Sequence, residues 1–383
     1  MVVGAVMSDL DGDGRLELVM SSEWGPVRVM KVEEGRLVER TKEWGLEGYE
    51  GWWSGIGVGD LNNDGRLDLV VGNWGKNSPY AASKRQPLRT FHGDLDGNES
   101  VDLVEGYHDT ETGREVPVRT LRAAATGMPF LRERFGRYAD YGRASVMEIY
   151  GERLRKAQVV EANTLGVMMF VNRGGKFEGK ELPMEAQWSP VYGVCVGDAD
   201  GDGNEDVYLA QNFFAVNADA ARCDAGRGLW LKGDGKGNLK PVDGSESGVR
   251  VYGEQRGAAL GDFDEDGRLD LVVGQNGAET KVYRNVGGRE GLRVRLKGAA
   301  GNESGVGAKG RLIYEGGKKG PMKEVRAGGG YWSQESRVLV FGRGEKVTGL
   351  EVQWPGGRST STEVPAGARE IEVDVGGRAV VKN

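Results

Sequence analysis

One acidic nine-residue pattern, Asp-x-Asp/Asn-x-Asp/Asn-(usually Gly)-x-x-Asp/Glu, occurs five times in this chain of 383 residues. The copies read DLDGDGRLE from Asp9, DLNNDGRLD from Asp60, DLDGNESVD from Asp94, DADGDGNED from Asp198 and DFDEDGRLD from Asp262. Alternate carboxylates on a tight loop make an all-oxygen cage for a hard divalent cation, and Ca²⁺ suits such a cage better than the smaller, more strictly octahedral Mg²⁺. An internal repeat also decides architecture before any local reading does.

In the first copy the pattern offers Asp9, Asp11 and Asp13, the backbone carbonyl of Arg15, and Glu17 as ligands. The second offers Asp60, Asn62, Asp64, Arg66 and Asp68. The third offers Asp94, Asp96, Asn98, Ser100 and Asp102. The fourth offers Asp198, Asp200, Asp202, Asn204 and Asp206, and the fifth Asp262, Asp264, Asp266, Arg268 and Asp270. Asn98 and Glu99, in place of an acid and of Gly, predict that the third cage is the weakest or empty. The longer stem of Glu17 predicts a looser first cage.

An EF-hand begins in the same way but closes with Glu at its twelfth position, between two helices. Here the twelfth positions are Met20, Val71, Glu105, Leu209 and Val273. The flanks are short runs rich in Val and Leu and punctuated by Gly, which read as strands. The unit is therefore strand, cation loop, strand.

Acidity is concentrated in these loops. The formal net charge is −7, and five bound Ca²⁺ ions would reverse its sign. No basic stripe is present, which argues against a nucleic-acid partner. No apolar run approaches the length of a membrane span. The segment before Asp9 lacks the charged start of a signal peptide and reads as a strand entering the first loop, as though upstream sequence were removed. Gly contributes 65 residues and Pro 11, a balance that fits many tight turns between short strands. Cys195 sits in an apolar strand pattern and Cys223 in a loop; spacing alone does not decide whether they pair.

Successive loops begin 51, 34, 104 and 64 residues apart, gaps that suit sheets of about four strands, the blades of a β-propeller. Val167 to Phe177 resembles the outer hairpin of a further, degenerate blade. Within the longest gap, about residues 128–157, apolar residues recur at helical spacing and predict two short helices broken near Gly142, with Pro129 in a first turn. These helices either cover a face or an edge, or form a lid or docking arm. Residues 1–290 are predicted to form the propeller. Residues 291–383 contain no acidic loop and are predicted to form a small antiparallel β domain, with strands near 311–314, 323–326, 337–341, 350–354 and 370–375.

The acidic loops and their flanks resemble FG-GAP/VCBS repeats, the blades of integrin-α-type propellers. The tail resembles an ASPIC/UnbV domain through Asn302-Glu303-Ser304-Gly305-Val306-Gly307-Ala308, Gly328-Gly329-Gly330-Tyr331-Trp332-Ser333-Gln334, Phe341-Gly342-Arg343-Gly344 and Val352-Gln353-Trp354-Pro355-Gly356-Gly357. Together they resemble the cartilage-acidic-protein-like family. That resemblance implies a secreted or surface protein and a closed ring of about seven blades. The chain departs from it in having five loops and one degenerate blade, no leader, and Arg343 where the family more often has Leu.

No catalytic set stands out. His92 and His108 flank the third loop without a cysteine to complete a zinc set, and no Ser-His-Asp triad or phosphate loop can be assembled. The best reading is a non-catalytic, calcium-stabilised extracellular, cell-surface or periplasmic module for binding or adhesion, with a protein or glycan ligand. The alternative is a calcium-dependent polysaccharide lyase or hydrolase, for which Tyr138, Tyr141 and Lys156 are positional candidates. Trp44, Trp52, Trp53, Trp74 and Trp188 either pack between blades or offer indoles to a ligand.

Overall fold

A computed structural model describes residues 1–216 and 220–382. Each acidic loop joins two antiparallel strands, as the flanking sequences predict. Four of these hairpins begin blade-like sheets. The first sheet orders Val2–Ser8, Glu17–Pro26, Arg28–Glu33 and Arg36–Glu39. The third orders Val191–Gly197, Asp206–Gln211, Leu229–Gly233 and Leu239–Val242, and the fourth Glu254–Gly261, Asp270–Asn276 and Lys281–Tyr283.

The second sheet corrects the degenerate-blade reading. Its strands are Ile56–Gly59, Asp68–Val71, Met168–Asn172 and Phe177–Glu181, so Val167 to Phe177 completes the blade that Asp60 begins. Residues 72–167 leave this sheet after its second strand and return at its third. Sequence spacing cannot show such an excursion, because strand pairing is blind to the length of chain between partners.

The excursion holds its own sheet, ordered Arg114–Pro117, Asp102–Asp109, Leu88–Gly93 and Gln158–Ala162, and carries the third acidic loop. Its helical part is more divided than two helices broken near Gly142. Helices run over Leu121–Gly127, Phe130–Arg134, Tyr138–Arg143 and Val146–Tyr150, followed by a 3₁₀ turn over Gly151–Lys156. Thr120 caps the first helix and Ser145 forms a capping box with Glu148 on the fourth. Pro129 stands just before the second helix. Leu95 from the acidic loop and Val104 from the sheet pack with Leu121, Leu131, Val146 and Ile149 into a separate core.

The inner strands Val2–Ser8, Ile56–Gly59, Val191–Gly197 and Glu254–Gly261 lie side by side in chain order. Glycines let them approach: a Cβ on Gly57 would fall 2.6 Å from Val194 Cγ1. The β architecture and the row of blades are evident; a closed propeller is not.

Residues after 291 form two further sheets around a core that includes Leu292, Leu312, Phe341, Leu350, Trp354 and Ile371. One sheet orders Leu339–Phe341, Leu292–Lys297, Glu370–Asp374 and Ala379–Lys382; the other orders Lys323–Glu324, Lys309–Tyr314, Val347–Gln353 and Ser359–Glu363. The antiparallel expectation fails at one pairing, since Leu292–Lys297 runs parallel to Glu370–Asp374. A parallel pair needs a crossover rather than a hairpin, and here the whole second sheet supplies it.

The C-terminal residues do not stand apart from the blades. Met322 to Ser336 run along the inner strands: the Met322 N–H donates to Asp60 Oδ2, Arg326 to the Val58 carbonyl, and the Ser336 N–H to the Leu260 carbonyl. Gly330 bridges Ala5, and its closeness to the Ile56 carbonyl leaves no room for a side chain.

Candidate functional site: five oxygen loops and an aromatic face

The five loops share one hydrogen-bond plan. The first aspartate accepts the N–H of the sixth loop residue in every copy: Gly14 to Asp9 (3.0 Å), Gly65 to Asp60 (2.9 Å), Glu99 to Asp94 (3.0 Å), Gly203 to Asp198 (2.8 Å) and Gly267 to Asp262 (2.8 Å). The closing acid accepts the N–H of the second residue: Leu10 to Glu17, Leu61 to Asp68, Leu95 to Asp102, Ala199 to Asp206 and Phe263 to Asp270, all at 2.9–3.1 Å. The fifth side chain accepts the N–H of the seventh residue, from Arg15, Arg66, Ser100, Asn204 and Arg268. These bonds coil the loop and orient the acids inward.

The coil requires positive φ at its fourth and sixth residues. Gly12, Asn63, Gly97, Gly201 and Glu265 occupy the fourth position with φ from 56° to 85°, and Gly14, Gly65, Gly203 and Gly267 the sixth. Glu99 takes the sixth position of the third loop at φ 66°, a strained conformation for a side-chain-bearing residue.

Carboxylate oxygens converge within 4.8 Å in Asp9, Asp11 and Asp13, in Asp94, Asp96 and Asp102, in Asp198, Asp200 and Asp206, and in Asp262, Asp264 and Asp270. Asp202 and Asp266 instead turn towards the backbone and side chain of their own seventh residues, Asn204 and Arg268. In the second loop Asn62 donates its amide to Asp64 at 3.0 Å, while Asp60 and Asp68 are fully buried. Neighbouring sheets brace the loops: Asn172 donates to the Leu10 carbonyl, the Gly237 N–H to Leu61, and Asn285 to Ala199.

Burial raises several of these acids. Glu17, Asp68 and Asp206 are each pushed up to about 7, and Asp60 and Asp198 to about 6, against backbone N–H bonds that pull the other way. Two buried oxygens, Glu17 Oε1 and Asp264 Oδ1, have no hydrogen-bond partner. Buried polar atoms are normally satisfied. An all-oxygen donor set with orphaned acceptors fits a hard divalent cation, and Asp9, Asp11, Asp13 and Glu17 or Asp262, Asp264 and Asp270 would hold it.

Sequence reading missed the partners that meet the loops from elsewhere. Lys31 contacts Asp11, Asp13 and Glu17; Lys232 contacts Asp200 and Asp202; Arg284 contacts Asp264 and Asp266. From the C-terminal sheets, Lys309 pairs with Asp9 at 2.7 Å and Arg293 with Asp262 at 2.5 Å, all four side chains being nearly inaccessible. Strand register gives a signal for the first three. Nothing local announces the last two.

Aromatic residues gather at the opposite end. Each inner strand runs from this end to its loop, a span of about 23 Å for the seven residues of Val191–Gly197. Centroid distances link Trp24 to Trp52 (5.2 Å), Trp52 to Trp74 (4.2 Å, nearly parallel), Trp74 to Phe213 (5.2 Å), Phe213 to Tyr192 (6.3 Å), Tyr192 to Tyr331 (5.6 Å) and Tyr331 to Trp332 (5.6 Å, parallel). Trp44 and Trp53 are instead core residues, and Trp188 lies exposed beyond a 3₁₀ turn.

The remaining candidates are structural. Tyr141 is buried and donates to the Arg119 carbonyl, whereas Tyr138 and Lys156 point to solvent. His92 and His108 lie on neighbouring strands of the excursion sheet. Both cysteines are free thiols, Cys195 buried and Cys223 half-buried. Arg343 reaches the Ala368 carbonyl. No helix among the described residues is long and apolar enough to cross a membrane.

Comparison with known proteins agrees with the loop and tail motifs. A family model described as FG-GAP-like repeat matches residues 9–71, and one described as ASPIC and UnbV matches residues 298–379. Cartilage acidic protein 1 of Xenopus tropicalis is 26% identical over 343 residues, covering 87% of this chain and 46% of that protein. The Mus musculus protein of the same name is 23% identical over 305 residues, covering 76% and 43%. The chain spans about half the length of the curated relatives it matches. An exotype rhamnogalacturonan lyase, YesX, aligns over 92% of this chain and 70% of its own at 12% identity, and its TM-score of 0.24 carries no argument. The chain is an FG-GAP repeat protein with a C-terminal ASPIC/UnbV domain.

Proposed function

We propose that the chain is a non-catalytic, calcium-stabilised extracellular module that binds a protein or glycan through its aromatic end. The observation that carries this reading is a division of labour along the blades. Oxygen loops lie at one end and a run of seven aromatic rings at the other. Acids serve as structural ligands because they are tied by backbone N–H groups into identical coils. Aromatic rings suit recognition because they bring large contact area with little side-chain entropy to lose.

Calcium in this reading stiffens the strand connections and so fixes the aromatic end at a distance. Residues 1–290 would supply the blades and residues 291–383 the sheets that lock them. A glycan and protein binding screen with and without calcium tests the reading. Capture that is lost on chelation and on replacing Trp52 and Trp74 by Ala supports it. Turnover of a polysaccharide by the wild-type chain would contradict it.

A further inference from the structure

Between the first and fourth sheets lies an open cleft of about 880 Å³. That is within the range of small-molecule sites, which favour the junctions of domains. Both parts of the chain build it: Glu23, Tyr192 and Arg256 come from the blades, and Tyr331, Trp332 and Gln334 from the irregular segment between the ASPIC/UnbV strands Lys323–Glu324 and Leu339–Phe341. Trp332 is 82% exposed, yet it is held in place. Its φ is +44°, its indole lies parallel to the Tyr331 ring, and its carbonyl sits against Gly257 so closely that a Cβ there would meet it at 2.6 Å. An exposed indole on a strained, tightly seated backbone is preorganised rather than loose, and strain of this kind clusters at binding sites.

The charges in the cleft select among ligands. Arg256 lies 3.9 Å from the Tyr192 ring centroid and bonds to buried Glu254, so its charge is already matched. The Glu23 carboxylate has no ion-pair or hydrogen-bond partner among the described residues, the Met1 ammonium donating instead to the Glu23 carbonyl at 3.1 Å, and Glu23 lines the same space. A flat apolar surface beside an unmatched carboxylate and the Gln334 amide fits a ring with one C–H face and an edge of hydroxyls. It disfavours an anionic ring. Resting on the binding function proposed above, we propose that this cleft binds a neutral pyranoside, stacked on Trp332 with its hydroxyls donated to Glu23 and bonded to Gln334.

The test uses the whole chain at about 1 mM Ca²⁺ with cellohexaose, mannohexaose and xylohexaose as neutral probes and oligogalacturonate as the acidic one. Tryptophan fluorescence and titration calorimetry read binding. At least one neutral hexaose should bind, and oligogalacturonate more weakly. Trp332→Ala should weaken binding about tenfold or more with an unchanged melting temperature, because the side chain is exposed. Trp332→Phe should restore part of it, and Glu23→Gln should narrow the gap between neutral and acidic probes. Preference for oligogalacturonate, or neutral binding indifferent to Trp332→Ala, overturns the proposal. So does a self-association in sedimentation that Trp332→Ala abolishes, because a second copy would then own the cleft. If no hexaose binds but the Trp52/Trp74 end captures a protein, the pyranoside assignment fails and the binding function stands. If nothing binds in either assay, both fail.

Discussion

Lys31 stands across the first sheet from Glu17, one step beyond the Leu18–Met30 pair, and its ammonium lies 3.7 Å from the orphaned Glu17 Oε1. The same register places Lys232 opposite Asp206, beyond Val207–Leu231, and Arg284 opposite Asp270, beyond Leu271–Tyr283. In the second sheet the equivalent residue is Val171, beyond Leu69–Phe170. Three loops thus have a basic residue of the neighbouring strand leaning on their acids; at the second loop that strand position is Val171, and among the described residues only Arg66 of the loop itself pairs with Asp64.

A tethered cation competes with a free one for the same oxygens. Lys31→Met is expected to strengthen calcium binding at the first loop about threefold, in keeping with a partly exposed ion pair, and to lower the melting temperature in chelator. Val171→Lys should do the reverse at the second loop. Calorimetric titration of each variant checks both; unchanged affinities in both would show that the basic residues are bystanders.

Buried ion pairs couple the two parts of the chain. Lys309→Met leaves Asp9 charged, buried and unpaired, and should cost about 3–5 kcal/mol, because removing one partner strands the other. Adding Asp9→Asn should recover part of the loss. Chemical denaturation checks the cycle. If Lys309→Met shifts only a late, separate transition, the ASPIC/UnbV sheets unfold independently of the blades.

The pH dependence of the metal-free chain follows from the raised carboxylates. Glu17, Asp68 and Asp206 titrate near 7 when folded and near 4 when unfolded. Between those values the folded chain holds more protons than the unfolded one, so stability falls as pH rises from about 4 to 7 and levels off above. Asp206→Asn should flatten this slope by up to about 1.4 kcal/mol per pH unit within the window. Melts in chelator between pH 5 and 8 measure it; a slope that the substitution leaves intact would remove Asp206 from the account.

Glu99 holds the third loop in a left-handed turn where the other loops have Gly. Glu99→Gly is expected to stabilise the excursion by about 1 kcal/mol. Hydrogen exchange of the sheet around Leu95 and Val104, which shares a core with the helices, checks this locally. No change in protection would mean that the turn carries no strain.

Legibility tracked the range of the interaction. The loops were readable because their bonds are local: Asp9 accepts the Gly14 N–H and Glu17 the Leu10 N–H, all within nine residues. The tail was readable through its Gly and aromatic motifs. Asp68–Val71 pairs with Met168–Asn172 across about a hundred residues, and no local pattern carries that information; hence Val167 to Phe177 reads, from sequence alone, as the outer half of a separate, degenerate blade. Helix ends in the excursion depend on caps such as Thr120 and Ser145 more than on apolar spacing, which merged several short helices into two. Tyr192, Phe213, Tyr331 and Trp332 carry no shared sequence signal because they assemble only when the ASPIC/UnbV segment lies along the inner strands.

The central claim is that divalent cations held by the acidic loops stabilise the blades. Thermal unfolding in about 1 mM Ca²⁺ and in excess chelator tests it most directly. A hundredfold excess over the dissociation constant contributes about 2.7 kcal/mol per occupied site, so the melting temperature should rise markedly with calcium, and Asp198→Asn with Asp262→Asn should reduce the rise. Coincident melts with and without calcium would contradict the account.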